Sequence, residues 1–66
     1  MRKKRFDALI TAGIEGHIAN FLQQDNDAAR IESNKRALTY INYMCNSQKC
    51  DPEHYKKLYL GSIGGD

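Results

Sequence analysis

A chain of 66 residues makes one domain, and a domain of that size buries only about 60% of the surface its unfolded chain exposes, which leaves little room for a water-excluding catalytic cleft. The formal charge of +2 arises from ten cations against eight acids. Four of those cations are Arg2, Lys3, Lys4 and Arg5, so the rest of the chain has six cations against eight acids and lacks the spread basic surface of a nucleic-acid-binding fold.

Two cysteines are too few for a disulfide framework, and the unbroken apolar runs are far shorter than the roughly 20 residues of a membrane span. With no secretory leader in the sequence, a reducing cytoplasm is the expected compartment and insertion into a membrane is not expected.

Residues 1–5 read as a flexible basic arm, because four adjacent positive charges repel one another and oppose the positive end of a helix dipole. Asp7 suits an N-cap, its carboxylate accepting from free N–H groups of a first turn that begins near Ala8. The spacing predicts a first helix over about 8–24, within a single helical domain over 6–61. Wound at about 100° per residue, Phe6, Leu9, Ile10, Ile14, Ile18, Phe21 and Leu22 share one arc. Ala8, Ala12, Gly16 and Ala19 crowd the opposite arc, and Glu15 is the one strongly charged residue between Ala8 and Gln24. A helix so poor in charge is expected to be covered on both sides.

Gly13 and Gly16 each cost about 1 kcal/mol relative to alanine inside that helix. The low ridge Ala8, Ala12, Gly16, with Ala19 beside it, gives them a reason: a second helix could lie closely there, which makes these four residues the expected interface of a homodimer. His17 falls within the large apolar arc, where a lone histidine is expected to be a packed and hydrogen-bonded side chain whose burial favours the neutral form.

The run Gln23-Gln24-Asp25-Asn26-Asp27 breaks the pattern and predicts a short turn, with Asp25, Asn26 or Asp27 capping a second helix over about 27–47. So short a link makes the two helices antiparallel neighbours. The second apolar stripe is Ile31, Ala37, Leu38, Ile41, Met44 and Cys45. Asn34 interrupts it and is expected at an edge with access to solvent. Arg30, Glu32, Lys35, Arg36 and Asn42 make a solvated outer face. Tyr40 and Tyr43 fall on or near that outer side, to be covered by the apolar face of Tyr55, Leu58 and Tyr59 or offered to a partner.

Asp51-Pro52-Glu53 is a helix start, with a capping carboxylate followed by proline where its missing N–H is harmless. A third helix over about 52–60 should end at Gly61 in a left-handed stop, with Ile63 folding back to cover it and residues 62–66 forming a flexible tail.

Cys45, Cys50 and His54 make the spacing C-x4-C-x3-H, and His17 could complete four zinc ligands. The familiar CxxC pair is absent, and Cys45 belongs to an apolar stripe where cysteine packs as a small hydrophobe, a reading placed ahead of a metal site or a disulfide. Cys50 with His54 would be the one nucleophile–base pair, but no shaped pocket accompanies it. No catalytic residues, metal or cofactor are therefore expected.

The sequence thus predicts an all-α protein, an antiparallel helical hairpin plus a short third helix in a small three-helix bundle, assembled as a dimer. The expected role is that of a non-enzymatic regulatory or adaptor protein that binds another protein through Arg36, Tyr40 and Tyr43, since exposed tyrosine and arginine supply large contact area with polar tips. The alternative is a small DNA- or RNA-binding regulator that uses Arg2, Lys3, Lys4 and Arg5 with Lys56 and Lys57 on the third helix.

Overall fold

The structure is a computed structural model that describes residues 2–64; Met1, Gly65 and Asp66 lie outside the described residues, as does that much of the expected arm and tail. Three helices follow one another: α1 (Lys3–Gln23), α2 (Asp27–Gln48) and α3 (Pro52–Ser62), with no strand among the described residues. The principal extents are 38 × 17 × 16 Å, an elongated bundle set by the length of the α1–α2 hairpin. None of these helices is long and apolar enough to cross a membrane.

The first helix begins at Lys3, not near Ala8, so Lys3, Lys4 and Arg5 are helical where an arm was expected. Arg2 stands at the cap with no side-chain hydrogen bond, and no acid occupies the first turn. Three exposed cations there cost about 0.3–1 kcal/mol each, toward the low end in water. Burial of Phe6 opposes them with about 1.5–3 kcal/mol, and Phe6 joins the core only by staying in helical register with Ile10 and Ile14. Asp7, inside the helix, does not cap it; its Oδ1 accepts a 2.7 Å hydrogen bond from the Tyr55 hydroxyl.

The turn is short and closed by its own side chains. Gln24 Nε2 donates to the Asn20 carbonyl and to Asn20 Oδ1 at 2.9 and 3.0 Å. Asn26 is the cap of α2, its Oδ1 accepting from the Ala29 N–H at 2.8 Å. At the other corner Asp51 caps α3 by accepting from the Glu53 N–H at 3.1 Å, with Pro52 in the first turn. The α3 helix runs through Gly61 to Ser62, and the left-handed residue is Gly64 (φ 80°) instead of Gly61. Ile63 packs half-buried against the core.

The core comprises Phe6, Ile10 and Ile14 from α1, Ala37, Ile41 and Cys45 from α2, and Tyr55 and Tyr59 from α3. On α2 the buried line is Ser33, Ala37, Ile41, Cys45 at intervals of one turn. Ser33, not Ile31, occupies its first position; Ile31 is 69% exposed. Ser33 faces α1, and its Oγ accepts from Asn20 Nδ2 at 3.4 Å. Asn34 is half-buried, with an Oδ1 that is buried and has no hydrogen-bond donor among the described residues.

Candidate protein-binding face

The α1–α2 hairpin sets the site. Asn20 follows Gly13 by seven positions on α1, and Tyr40 follows Ser33 by seven positions on α2. Asn20 meets Ser33, and Gly13 meets Tyr40. Two turns of helix therefore carry the same register from the polar contact near the turn to an aromatic contact at mid-length.

At that second contact the Tyr40 phenol lies over Gly13, and a Cβ on Gly13 would overlap its hydroxyl and ring carbons. The His17 ring lies one turn away, its centroid 5.1 Å from that of Tyr40 and its plane tilted by 43°. Tyr40 is thus half-buried against α1, and burial raises its pKa above the usual 10.0. The gap left by a glycine on α1 receives it, and it packs against the edge of the core.

Tyr43, three residues further on, stays 71% exposed. Glu32, Lys35, Arg36, Thr39, Tyr40 and Tyr43 line one open groove of about 390 Å³ along α2. Their spacing is that of one helix face. Arg36 Nε pairs with Glu32 Oε1 at 3.4 Å, both side chains more than half exposed; such a surface pair is worth about 0–1 kcal/mol and leaves the guanidinium free to exchange partners. Arg36, Tyr40 and Tyr43, singled out in the sequence, are thus brought together on one surface.

Ala8, Ala12, Gly16 and Ala19 are all exposed, and a Cβ on Gly16 would meet nothing within 4 Å. No element among the described residues covers this flank of α1, so within the single chain the helix lacks the cover expected on both of its sides. Leu9 (49%) and Leu22 (63%), assigned to the covered arc, are exposed too. The buried strip of α1 is narrower than the arc of large residues, because it faces only α2 and α3.

Of the basic residues named for the nucleic-acid alternative, Lys3 and Lys56 have acidic neighbours. Lys3 lines a cleft of about 600 Å³ at the end of the bundle, together with Lys49 and His54, but Asp7 and Asp51 share its walls. Lys56 is paired with Glu53 at 3.5 Å, its side chain only 23% exposed, while Lys57 is exposed. Of the metal candidates, His17 of α1 is engaged with Tyr40 of α2, whereas Cys50 and His54 share the end cleft. Among the described residues no three His, Cys, Asp or Glu side chains are grouped closely enough to hold a metal ion.

Sequence reasoning missed the Gly13–Tyr40 contact, the Ser33 position and the Asp7–Tyr55 bond. The first two depend on an offset between the helices that the turn length does not supply: Asn20 stands three positions before the end of α1, whereas Ser33 stands six after the start of α2. The third joins residues 48 positions apart and has no local signal. No protein-family model, curated protein or solved structure matches the chain.

Proposed function

We propose that this protein is a small non-enzymatic binding module that regulates or recruits another protein by occupying part of its surface. The observation that carries the reading is the groove on α2, where Tyr40 is held in place by Gly13 while Tyr43 and Arg36 project beside it. A rigid aromatic flanked by an exposed aromatic and an arginine is the composition of a binding hot spot, since contact area is presented with little rotamer entropy left to lose.

In the same reading a second copy covers the α1 flank of Ala8, Ala12, Gly16 and Ala19. That flank has small side chains and few charges, so two such helices can approach closely with little desolvation of ions. The two free cysteines suit a reducing compartment, the cytoplasm.

The test is capture from a lysate of the native host with wild-type and Tyr43→Ala baits side by side, followed by titration of the captured protein. Loss of binding by Tyr43→Ala with unchanged helicity supports the reading. Equal binding by the two baits removes the α2 groove from it. Affinity that falls steeply with salt and with deletion of residues 1–5, for a nucleic-acid ligand, would favour the alternative regulator instead.

A further inference from the structure

The corner between α2 and α3 holds both cysteines of the chain, and the binding reading uses neither. Lys49 takes the left-handed conformation (φ 56°, ψ 43°), and the Cys50 N–H donates to the Cys45 carbonyl at 3.0 Å. A six-to-one bond spanning a left-handed residue is the Schellman helix stop, in which the side chains of the two bonded residues commonly meet in an apolar contact. Here both members of that contact are cysteines.

Their surroundings differ. Cys45 is fully buried in the core, whereas Cys50 is half-buried against the same core and lines the 600 Å³ end cleft. The walls of that cleft include Lys3, Lys49 and His54, with Asp7 and Asp51. Burial first, and then the adjacent Cys50 side chain, push the Cys45 thiol up to about 12. Cys45 therefore stays protonated and shielded, and a reagent in solvent meets Cys50.

We propose that Cys45 and Cys50 form a thiol–disulfide pair, with Cys50 the entry thiol for a small disulfide of the glutathione type and Cys45 the resolving thiol. The Cys50 thiolate attacks one sulfur of the oxidised tripeptide; the Cys50–glutathione bond forms, the reagent's own sulfur–sulfur bond breaks, and one glutathione thiolate leaves. The Cys45 sulfur then attacks the Cys50 sulfur and expels the second glutathione, and the protons of the two protein thiols end on the two glutathione thiols. Two cysteines are oxidised and one small disulfide is reduced, so no other oxidant is needed. The backbone bond holds the two residues together across the Lys49 corner, and the Cys50 side chain is adjacent to the Cys45 thiol.

The experiment treats the folded, full-length chain with oxidised glutathione, quenches with N-ethylmaleimide, and reads intact mass and peptide maps. The wild-type chain should lose two hydrogens, take no maleimide and give a Cys45–Cys50 linked peptide. Cys45→Ala should stop at a glutathione adduct on Cys50, and Cys50→Ala should leave Cys45 unmodified while folded. A lasting glutathione adduct on wild-type Cys50, a cross-linked dimer, or two thiols that both remain open to maleimide would each overturn the proposal. If circular dichroism shows Cys45→Ala to be unfolded, the wild-type product alone decides.

Discussion

The Tyr40 ring fills the space that a side chain on Gly13 would need, and nothing of the kind happens at Gly16 three residues on. The two glycines of α1 therefore have opposite roles although both interrupt the same helix. At Gly16 alanine adds helix propensity into open space, and Gly16→Ala should stabilise the fold by about 0.5–1 kcal/mol. At Gly13 the same propensity gain is outweighed by overpacking against Tyr40, and Gly13→Ala should destabilise by about 1–3 kcal/mol. Urea titrations of the two variants beside wild type check this, and equal signs would show that Tyr40 moves aside at little cost.

How far the fold can be read from the residues follows from how local each determinant is. The Asn26 cap and the Asp51-Pro52 start are made by neighbours in sequence, and the helices begin there as expected. The start of α1 is not local. Asp7 has the chemistry of a cap, but the helix continues past it to bury Phe6, and the carboxylate is taken by Tyr55. Ile31 and Ser33 make the same point for packing: periodicity ranks apolar residues as inside, whereas the buried position facing α1 is held by a serine bonded to Asn20. In the binding face, the clustering of Arg36, Tyr40 and Tyr43 on α2 followed from helical spacing alone, but the split between a docked Tyr40 and a projecting Tyr43 depended on Gly13.

Tyr55 and Tyr59 stand one turn apart on α3, both in the core, and differ in what their hydroxyls meet. The Tyr55 hydroxyl donates to Asp7, whereas that of Tyr59 is buried with no partner among the described residues. Tyr55→Phe should destabilise by about 1.5–3 kcal/mol, the range for a hydrogen bond to a charged group. Tyr59→Phe removes an unsatisfied polar group and should be neutral or stabilise by about 1 kcal/mol. Thermal unfolding of the two variants provides the comparison; a loss at Tyr59 equal to that at Tyr55 would mean that its hydroxyl has a partner in solution.

The same tyrosines set the alkaline limit of the fold. The hydrogen bond to Asp7, then burial, then the Asp7 charge hold Tyr55 at about 12 against an ordinary value of 10.0, and burial raises Tyr59 and Tyr40 as well. Each favours its neutral form when folded, so its contribution is fully present below pH 10 and is lost as pH rises through the folded value. Stability should be insensitive to these groups below about pH 10 and decline from there toward about pH 12. Tyr55→Phe should flatten that decline, measured as urea midpoint against pH; an unchanged alkaline slope would place the loss elsewhere.

On the α2 face, stability and binding should separate. Tyr43 is 71% exposed, so Tyr43→Ala should shift stability by no more than about 0.5 kcal/mol while abolishing capture of the partner. Tyr40→Ala vacates the space above Gly13 and beside His17, and should cost about 2–3 kcal/mol as well as binding. Calorimetric unfolding run with the captured partner and without it distinguishes the two. Unaltered affinity in Tyr43→Ala would leave Tyr40 buried for packing alone.

The exposed flank of α1 offers the sharpest division between assembly and folding. Ala12 lies in its middle with no neighbouring element above it, so a charge there meets only water in a single chain. Ala12→Glu should leave the helicity and unfolding midpoint of the monomer nearly unchanged, within about 0.5 kcal/mol. In a dimer closed by small residues at this ridge the same carboxylate would be forced against its symmetry mate, unpaired and desolvated, and the association should weaken by several kcal/mol. Sedimentation equilibrium of wild type and Ala12→Glu over a concentration series reads both effects. A wild-type mass of one chain at all concentrations, or a dimer that survives the substitution, would remove this flank as the interface and leave the α2 groove as the remaining surface to which a second copy or a foreign partner attaches.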